Sequence, residues 1–374
     1  MIEKKLKERQ TDINKWFESQ WQKVSPPLYG SVDLRNAGFK IAPVDMNLFP
    51  AGFNNLSPEF LSRAVTAAKE TILERLPEAK SILLIPEDHT RNLFYSKNVE
   101  VLVDILKQAG FIIKTSSLDA LKREGNVIKI DQGIPDLILL NNDLSAGMPD
   151  ILQNLQQPIF PPAELGWHQR LKSEHFHYYA TLSQEFAQML DIDPWLITPL
   201  FRPCGEIDFL RREGIDCIIE HTRVLLEDIQ KKYNEYQVSC KPFVIIKADA
   251  GTQGMAVMTI RNIDELRVLN RKKRTSMATS KGGMPVRRVI IQEGVYTFER
   301  DESQNVAEPV IYLWGKQVVG GFYRMHEARG PDENLNTPGM YFESYPFDRH
   351  LYTYGAIAQL SMLAAAKEIA EMQT

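Results

Sequence analysis

Lys247 closes a short β-prone run, and Gly251 and Gly254 follow it before apolar alternation resumes at residues 257–260. The pattern is strand, glycine turn, strand. A lysine under a loop of free backbone N–H groups is one physical way to hold a polyanion, and the glycines let the backbone approach without a Cβ clash. Lys247, Gly251, Thr252 and Gly254 are therefore candidate phosphate-binding residues. The plainer reading is an ordinary β-hairpin that carries lysine and glycine. No helix opens from a GK[ST], so this is not the Walker pattern.

Further along, residues 286–292 form a buried-looking strand that runs into Glu293, Gly294 and Val295. An acid and free backbone groups at a strand end can clamp an adenosine, or stand as a solvated strand end. Residues 308–314 and 317–326 read as two strands joined at Gly315, with Arg324 on the second. An arginine there could stabilise charge on a transferring phosphoryl group; a surface ion pair is the alternative. Glu333, Asn334 and Asn336 follow. On an extended segment the two asparagines would face one side. Magnesium takes few protein oxygens plus nucleotide phosphates, so an Asn/Glu pair beside Glu308 would suffice. Asparagine in a Gly/Pro-rich stretch is otherwise a turn former.

What must position these groups is a chain of 374 residues, 44% hydrophobic and 25% charged, long enough for two or three packed units with sizeable cores. A formal net charge of -4 gives no basic field that would hold nucleic acid by counterion release. The one basic run, residues 271–274, reads as solvated surface, so no nucleic acid partner is expected. Cys204, Cys217 and Cys240 are odd in number and lack metal-ligand spacing, which argues against a disulfide framework or a zinc site. No apolar run reaches the roughly 18 residues of a membrane span. The charged start, with Leu6, Ile13, Phe17 and Val24 at heptad-like intervals, reads as an amphipathic helix rather than a signal peptide. A cytoplasmic protein without a membrane partner is the expectation, and a homodimer is the default assembly.

Residues 25–56 have no helical period and many Gly, Pro, Asn and Asp, which suits a folded binding loop. Asp33, Arg35, Lys40, Asp45 and Asn47 are its polar candidates. Ser57, Pro58 and Glu59 supply an N-cap, an N1 proline and an early acid for a helix to about Leu76. An apolar run at 81–86, a helix at 98–109 and strands at 111–116 and 136–141 imply a βαβ unit with a mainly parallel sheet, where ligands collect at strand C-termini. Glu87, Asp88, His89, Arg91 and Asn92 lie at such an end. Residues 167–236 read as mostly helical, with His175 and His177 as core or surface residues rather than metal ligands. The chain thus divides into an N-terminal helix and polar binding loop (1–76), a βαβ unit (77–165), a helical segment (166–238) and a nucleotide-binding domain (239–374).

In order, the strand lysine, glycine loop, acidic strand end, hairpin arginine and acid/amide motif resemble the ATP-grasp superfamily. The stretch NTPGM (336–340) looks like the asparagine-to-glycine end of the D-alanine:D-alanine ligase metal loop, with Asn334 where an acid is expected. A closer resemblance covers essentially the whole chain. VIIKADAGTQGM (244–255), VIIQEGVYT (289–297), GGFYRMH (320–326) and ENLNTPGM (333–340), with SVDLRNAGFK (31–40), VDMNLFPAGFNNL (44–56) and EDHTRN (87–92), resemble the proteobacterial type of glutamate-cysteine ligase. Gln253 and Ala256 stand where an aromatic and a glycine are expected, which touches the loop's flexibility more than its charge.

The resemblance implies an α/β (α+β) fold with an ATP-grasp-like C-terminal half, an N-terminal parallel βαβ substrate domain and a helical insertion. It implies the first step of glutathione synthesis, with L-glutamate, L-cysteine and ATP as substrates. ATP phosphorylates the γ-carboxylate of glutamate, and the cysteine amine attacks the acyl phosphate. The cation is magnesium, with manganese as the other candidate. Lys247 and the 250–256 loop then hold phosphates, with Lys281 as a second contact, while Gln292, Glu293 and Val295 frame the nucleoside. Arg324 steadies the acyl phosphate, and Glu308, Glu333, Asn334 and Asn336 are the metal candidates. Arg35, Arg91 or Arg170 would meet the α-carboxylate of glutamate, with Asp45 and Asn47 as further substrate contacts. Two other readings stay open: an ATP-grasp ligase for another acid and amine, and a non-catalytic nucleotide-binding regulator.

Overall fold

The amphipathic start forms α1 (Ile2–Glu8) and α2 (Gln10–Trp21) in the computed structural model, which describes residues 2–88, 92–131, 133–251, 254–344 and 350–372. Ile2, Leu6, Ile13 and Phe17 are buried, whereas Val24 lies past the helix end and is half-buried. Residues 25–56 depart from the expected loop. They pair as β1 (Tyr29–Asn36) and β2 (Ile41–Asn47), antiparallel. Val32 and Leu34 enter the core, but the alternate positions Ser31, Asp33 and Arg35 line a cleft. The period-two alternation of a strand is present at residues 31–35, with its polar face enclosed in the cleft instead of solvated.

Helix α3 (Pro58–Arg75) starts where expected, with the Ser57 hydroxyl accepting from the Phe60 N–H at 3.4 Å. Its stripe of Phe60, Ala64, Ala67, Ala68 and Ile72 is buried. The βαβ region holds β3 (Ser81–Pro86), α4 (Leu93–Gln108), β4 (Ile112–Thr115), a small hairpin of β5 (Lys122–Glu124) and β6 (Val127–Lys129), then β7 (Leu137–Asn141) and β8 (Ile159–Phe160). Strands β4, β3, β7 and β8 form a parallel sheet in that order. Helix α4 starts earlier than its apolar period suggests, because the Asn92 side chain caps it by accepting from the Tyr95 N–H at 3.2 Å.

The helical segment contains α5 (Lys172–Leu190) and α6 (Ile215–Glu235), with strand β9 (Phe201–Cys204) between them. After it come β10 (Val244–Ala248), β11 (Val257–Ile260), α7 (Asp264–Arg267), α8 (Arg271–Ala278), β12 (Val289–Glu293), β13 (Val306–Trp314), β14 (Gln317–His326), β15 (Tyr341–Glu343) and α9 (Leu351–Met372). Two antiparallel sheets result: β11-β10-β12-β9, and β15-β14-β13-β1-β2. Strand pairing thus crosses the divisions read from the sequence: β1 runs against β13, with Asp33 opposite Val310, and β9 runs against β12.

Gly320 in β14 has φ 149, and a Cβ there would lie 2.1 Å from the Phe60 ring, so only glycine admits α3 this close. Helix α9 is apolar on most sides because it packs against α5, β1, β2, β13 and β14. Among the described residues no helix is long and apolar enough to cross a membrane.

Candidate active site

A cleft of ≈ 480 Å³ lies between one face of the five-stranded sheet and one face of the four-stranded sheet. The period of two along each strand decides which side chains reach it. Ser31, Asp33 and Arg35 come from β1, Asp45 and Asn47 from β2, Glu308 from β13 and Arg324 from β14. Facing them are Lys247 from β10 and Gln292 and Glu293 from β12. Glu87, Asn92 and Asp143, just past the C-terminal ends of β3 and β7, close one end, and Asn334 and Asn336 lie along the rim.

The five-stranded face carries an ion-pair network in which, among the described residues, only Arg324 Nε is buried without a partner. Arg324 Nη1 donates to Glu308 Oε1 at 2.6 Å and to Asp33 Oδ2 at 2.8 Å. Glu308 Oε2 accepts from Arg35 Nε at 2.9 Å, and Arg35 also donates to the backbone carbonyls of Val295, Pro331 and Glu333. Burial alone would push the Glu308 carboxyl up, but the guanidinium groups of Arg35 and Arg324 outweigh it and hold it below the usual range. Burial also pushes Asp33 up, with Glu308 adding to the shift and Arg324 opposing it.

The four-stranded face is less spent. Lys247 Nζ donates to the Val44 carbonyl at 2.6 Å, and burial lowers it to about 8, with Asp45 opposing the shift. Gln292 is 2% exposed, and its Nε2 finds no partner among the described residues. A buried amide donor without an acceptor costs on the order of 1–3 kcal/mol unless a ligand supplies one. Lys172, at the start of α5, donates to both oxygens of Asp45 at 2.7 and 3.0 Å. Burial pushes Asp45 up, yet Lys172 and Lys247 hold it down at about 2.

Most of the residues expected from sequence meet in this cleft: Arg35, Asp45, Asn47, Lys247, Gly251, Gly254, Gln292, Glu293, Val295, Glu308, Arg324, Asn334 and Asn336 all line it. Thr252, His89 and Arg91 fall outside the described residues. Four of the expected residues have their charges engaged elsewhere. Arg170 is not in the cleft lining; its guanidinium is taken by Glu368, at 2.8 and 2.9 Å, and by the Met46 carbonyl at 3.0 Å. Glu293 reaches the cleft wall, but its carboxylate is filled by Lys40 at 2.8 Å, Trp195 Nε1 at 3.0 Å and the Leu200 N–H at 2.9 Å, leaving it a structural anchor for the end of β12. Glu333 turns to Arg329 and the Gly330 N–H. Lys281 is not in the lining either, and it pairs with Glu87 and, at 2.8 Å, with Asp143.

Asn334 and Asn336 sit in a turn rather than on an extended segment, with Asn334 Oδ1 accepting from the Asn336 N–H at 2.9 Å. This turn abuts the glycine loop: a Cβ on Gly254, which has φ +66, would lie 2.6 Å from the Asn336 carbonyl oxygen. Sequence reasoning missed Lys172 and Asp143. Asp143 was within reach, since it follows the C-terminus of β7 as Glu87 follows that of β3. Lys172 was hidden inside an amphipathic helical run.

The floor fits a divalent cation that prefers hard oxygens. Asp33, Glu308, Asn334 and Asn336 all line one cleft and carry hard oxygen atoms.

A family model described as glutamate-cysteine ligase matches residues 3–121 and 114–369. A crystal structure from Methylobacillus flagellatus KT, provisionally named gamma-glutamylcysteine synthetase, superposes with a TM-score of 0.91 at 46% identity, over 99% of this chain and 96% of that one. A glutathione synthetase-like effector from Globodera pallida matches at 10% identity and TM-score 0.46, over 89% of this chain and 79% of that one. D-alanyl-alanine synthetase A from Vibrio cholerae O1 matches at 10% identity and TM-score 0.36, over 76% of this chain and 81% of that one. Neither of the last two carries weight here. No curated protein matches the chain significantly. The family match along nearly the whole sequence, with a relative of the same fold and length, makes this chain a member of the glutamate-cysteine ligase family, ligases that work with ATP and a divalent cation.

Proposed function

We propose that the protein joins the γ-carboxylate of L-glutamate to the amine of L-cysteine in the cytoplasm, with magnesium as the cation, and that the cleft between the two antiparallel sheets is where it does so. The observation that carries the location is the pairing of Lys247, held by one backbone carbonyl, and a Gln292 amide without a partner among the described residues, with an acid-rich floor fixed by Arg35 and Arg324. Lys247 and the backbone at Gly251 and Gly254 meet the phosphates, and Gln292 offers its amide to the base or ribose. Glu308, Asn334 and Asn336, with Asp33, would hold the magnesium, which neutralises phosphate charge.

A glutamate γ-carboxylate oxygen takes the γ-phosphoryl group of ATP and ADP leaves. The cysteine amine then attacks the acyl carbon, the C–O bond to phosphate breaks, and the ammonium proton is lost. The protein's part is to place the three reactants and to neutralise developing charge, for which Arg324 is a fixed cation on the floor. Lys172 replaces Arg170 as the cation for the glutamate α-carboxylate: it lines the cleft, and its ammonium group donates to Asp45 and lies 4.0 Å from the centroid of the Trp167 ring.

The test is ADP release by the purified protein with Mg-ATP and L-glutamate, with and without L-cysteine, and mass detection of the product. Cysteine-dependent ADP release with γ-glutamylcysteine is expected. ATP binding without that product sends the substrate assignment to another acid and amine.

A further inference from the structure

Cys204, the last residue of β9, faces Val289, the first of β12, whereas the cleft residue Gln292 sits opposite Phe201 at the other end of the pairing. Beside Cys204, Cys217 and His221 stand one turn apart on α6 and so share a face. Cys204 Sγ lies 3.1 Å and Cys217 Sγ 3.9 Å from His221 Nδ1, and the three ligand-type atoms fall within 4.8 Å of one another. None of the three residues lines the cleft. The sequence argued against such a cluster, because residues 13 and 17 positions apart show no ligand spacing; strand β9 folding onto α6 creates it.

The geometry points to a second metal site, a Cys₂His set for a soft divalent cation of the zinc class that clamps α6 to β9, with water in the fourth position. Tetrahedral zinc, with bonds of about 2.3 Å to sulfur and about 2.0 Å to nitrogen, sets sulfur and nitrogen ligands about 3.5 Å apart and two sulfurs about 3.8 Å apart. The observed 3.1 and 3.9 Å straddle the first of these, and the two sulfurs lie within 4.8 Å, so seating the ion needs shifts of no more than about one ångström. Cys204 is buried while Cys217 and His221 are half-buried, which leaves an approach from the α6 side.

Thiolate and imidazole donors select against magnesium, so this site and the oxygen-lined cleft take different ions. Both thiols lose their protons to solvent on binding. The Pro203 carbonyl, 3.1 Å from His221 Nδ1, accepts the ring proton in the metal-free protein, and that proton moves to Nε2 when Nδ1 binds the ion. The clamp's effect is structural, because β9 is the edge strand that flanks β12.

The experiment is anaerobic titration of the reduced, chelator-treated full chain with cobalt(II) chloride, followed by zinc displacement. We expect one equivalent to produce an intense thiolate-to-cobalt charge-transfer band, which an oxygen-lined site does not give. Cys217→Ser should abolish the band with unchanged circular dichroism, and Cys240→Ser should retain it. If Cys217→Ser does not fold, iodoacetamide labelling of the wild-type protein decides: zinc should shield Cys204 and Cys217 but not Cys240. Absence of the band, its survival in Cys217→Ser, or equal labelling of the three thiols with and without zinc overturns the proposal. So does a Cys204–Cys217 disulfide in metal-free protein that resists reduction before the titration.

Discussion

The two walls of the cleft are built in opposite ways. On the five-stranded sheet, Asp33, Arg35, Glu308 and Arg324 hold one another, so their positions are set before any ligand arrives. On the four-stranded sheet, Lys247 has a single backbone acceptor and the Gln292 amide has none among the described residues. The difference separates the tasks: one wall is preorganised for charge that appears during the reaction, and the other keeps donors in reserve for a ligand that binds and leaves. The first wall should fail through loss of structure or of ligation, and the second through loss of binding.

The largest effect is expected at Glu308. Glu308→Ala removes the carboxylate shared by two buried guanidinium groups, leaving Arg324 to Asp33 and Arg35 to backbone carbonyls, so it should cost about 3 kcal/mol in denaturant unfolding as well as ligation. A loss under about 1 kcal/mol would mean the network is not what holds that wall. Next comes Lys247→Ala, which should leave a folded protein with ligase activity down roughly 100-fold; near-wild-type turnover would remove it from the site. Gln292→Leu, which supplies no donor, should weaken ATP binding by up to about tenfold with little change in turnover at saturation. An unchanged ATP affinity would leave the orphaned amide without a purpose.

The smallest effect is one of pH. Burial lowers Lys247 to about 8, and a bound phosphate favours its charged form. ATP binding should therefore be strongest below pH 8 and weaken as pH rises through it, with proton uptake measurable by calorimetry in buffers of different ionisation enthalpy. Proton uptake that persists in Lys247→Ala would assign the titration to another group.

The fate of individual residues shows what the sequence could reveal. The hairpins β10–β11 and β13–β14 were readable because apolar runs flank glycine turns, and α3 because Ser57 and Pro58 announce its start. Strands β1 and β2 were not: Ser31 to Arg35 do alternate polar and apolar, but the Gly, Pro, Asn and Asp around them read as a loop. Glu293 looked like a ribose ligand because nothing local says that Lys40, 253 positions away, fills its carboxylate. Arg170 was equally anonymous until Glu368 arrived on α9 to take its guanidinium. Local chemistry thus located the cleft, while the spending of each charge depended on partners brought in from distant segments.

The division between the walls is tested most directly by measuring Mg-ATP affinity and ligation rate on the same two variants, Lys247→Ala and Arg324→Lys. The lysine at 324 keeps the charge but loses the fork that reaches Asp33 and Glu308 together. The account predicts that Lys247→Ala loses ATP affinity, whereas Arg324→Lys binds ATP as the wild type does and loses ligation. Equal loss of ATP affinity in both, or full ligation by Arg324→Lys, would contradict it.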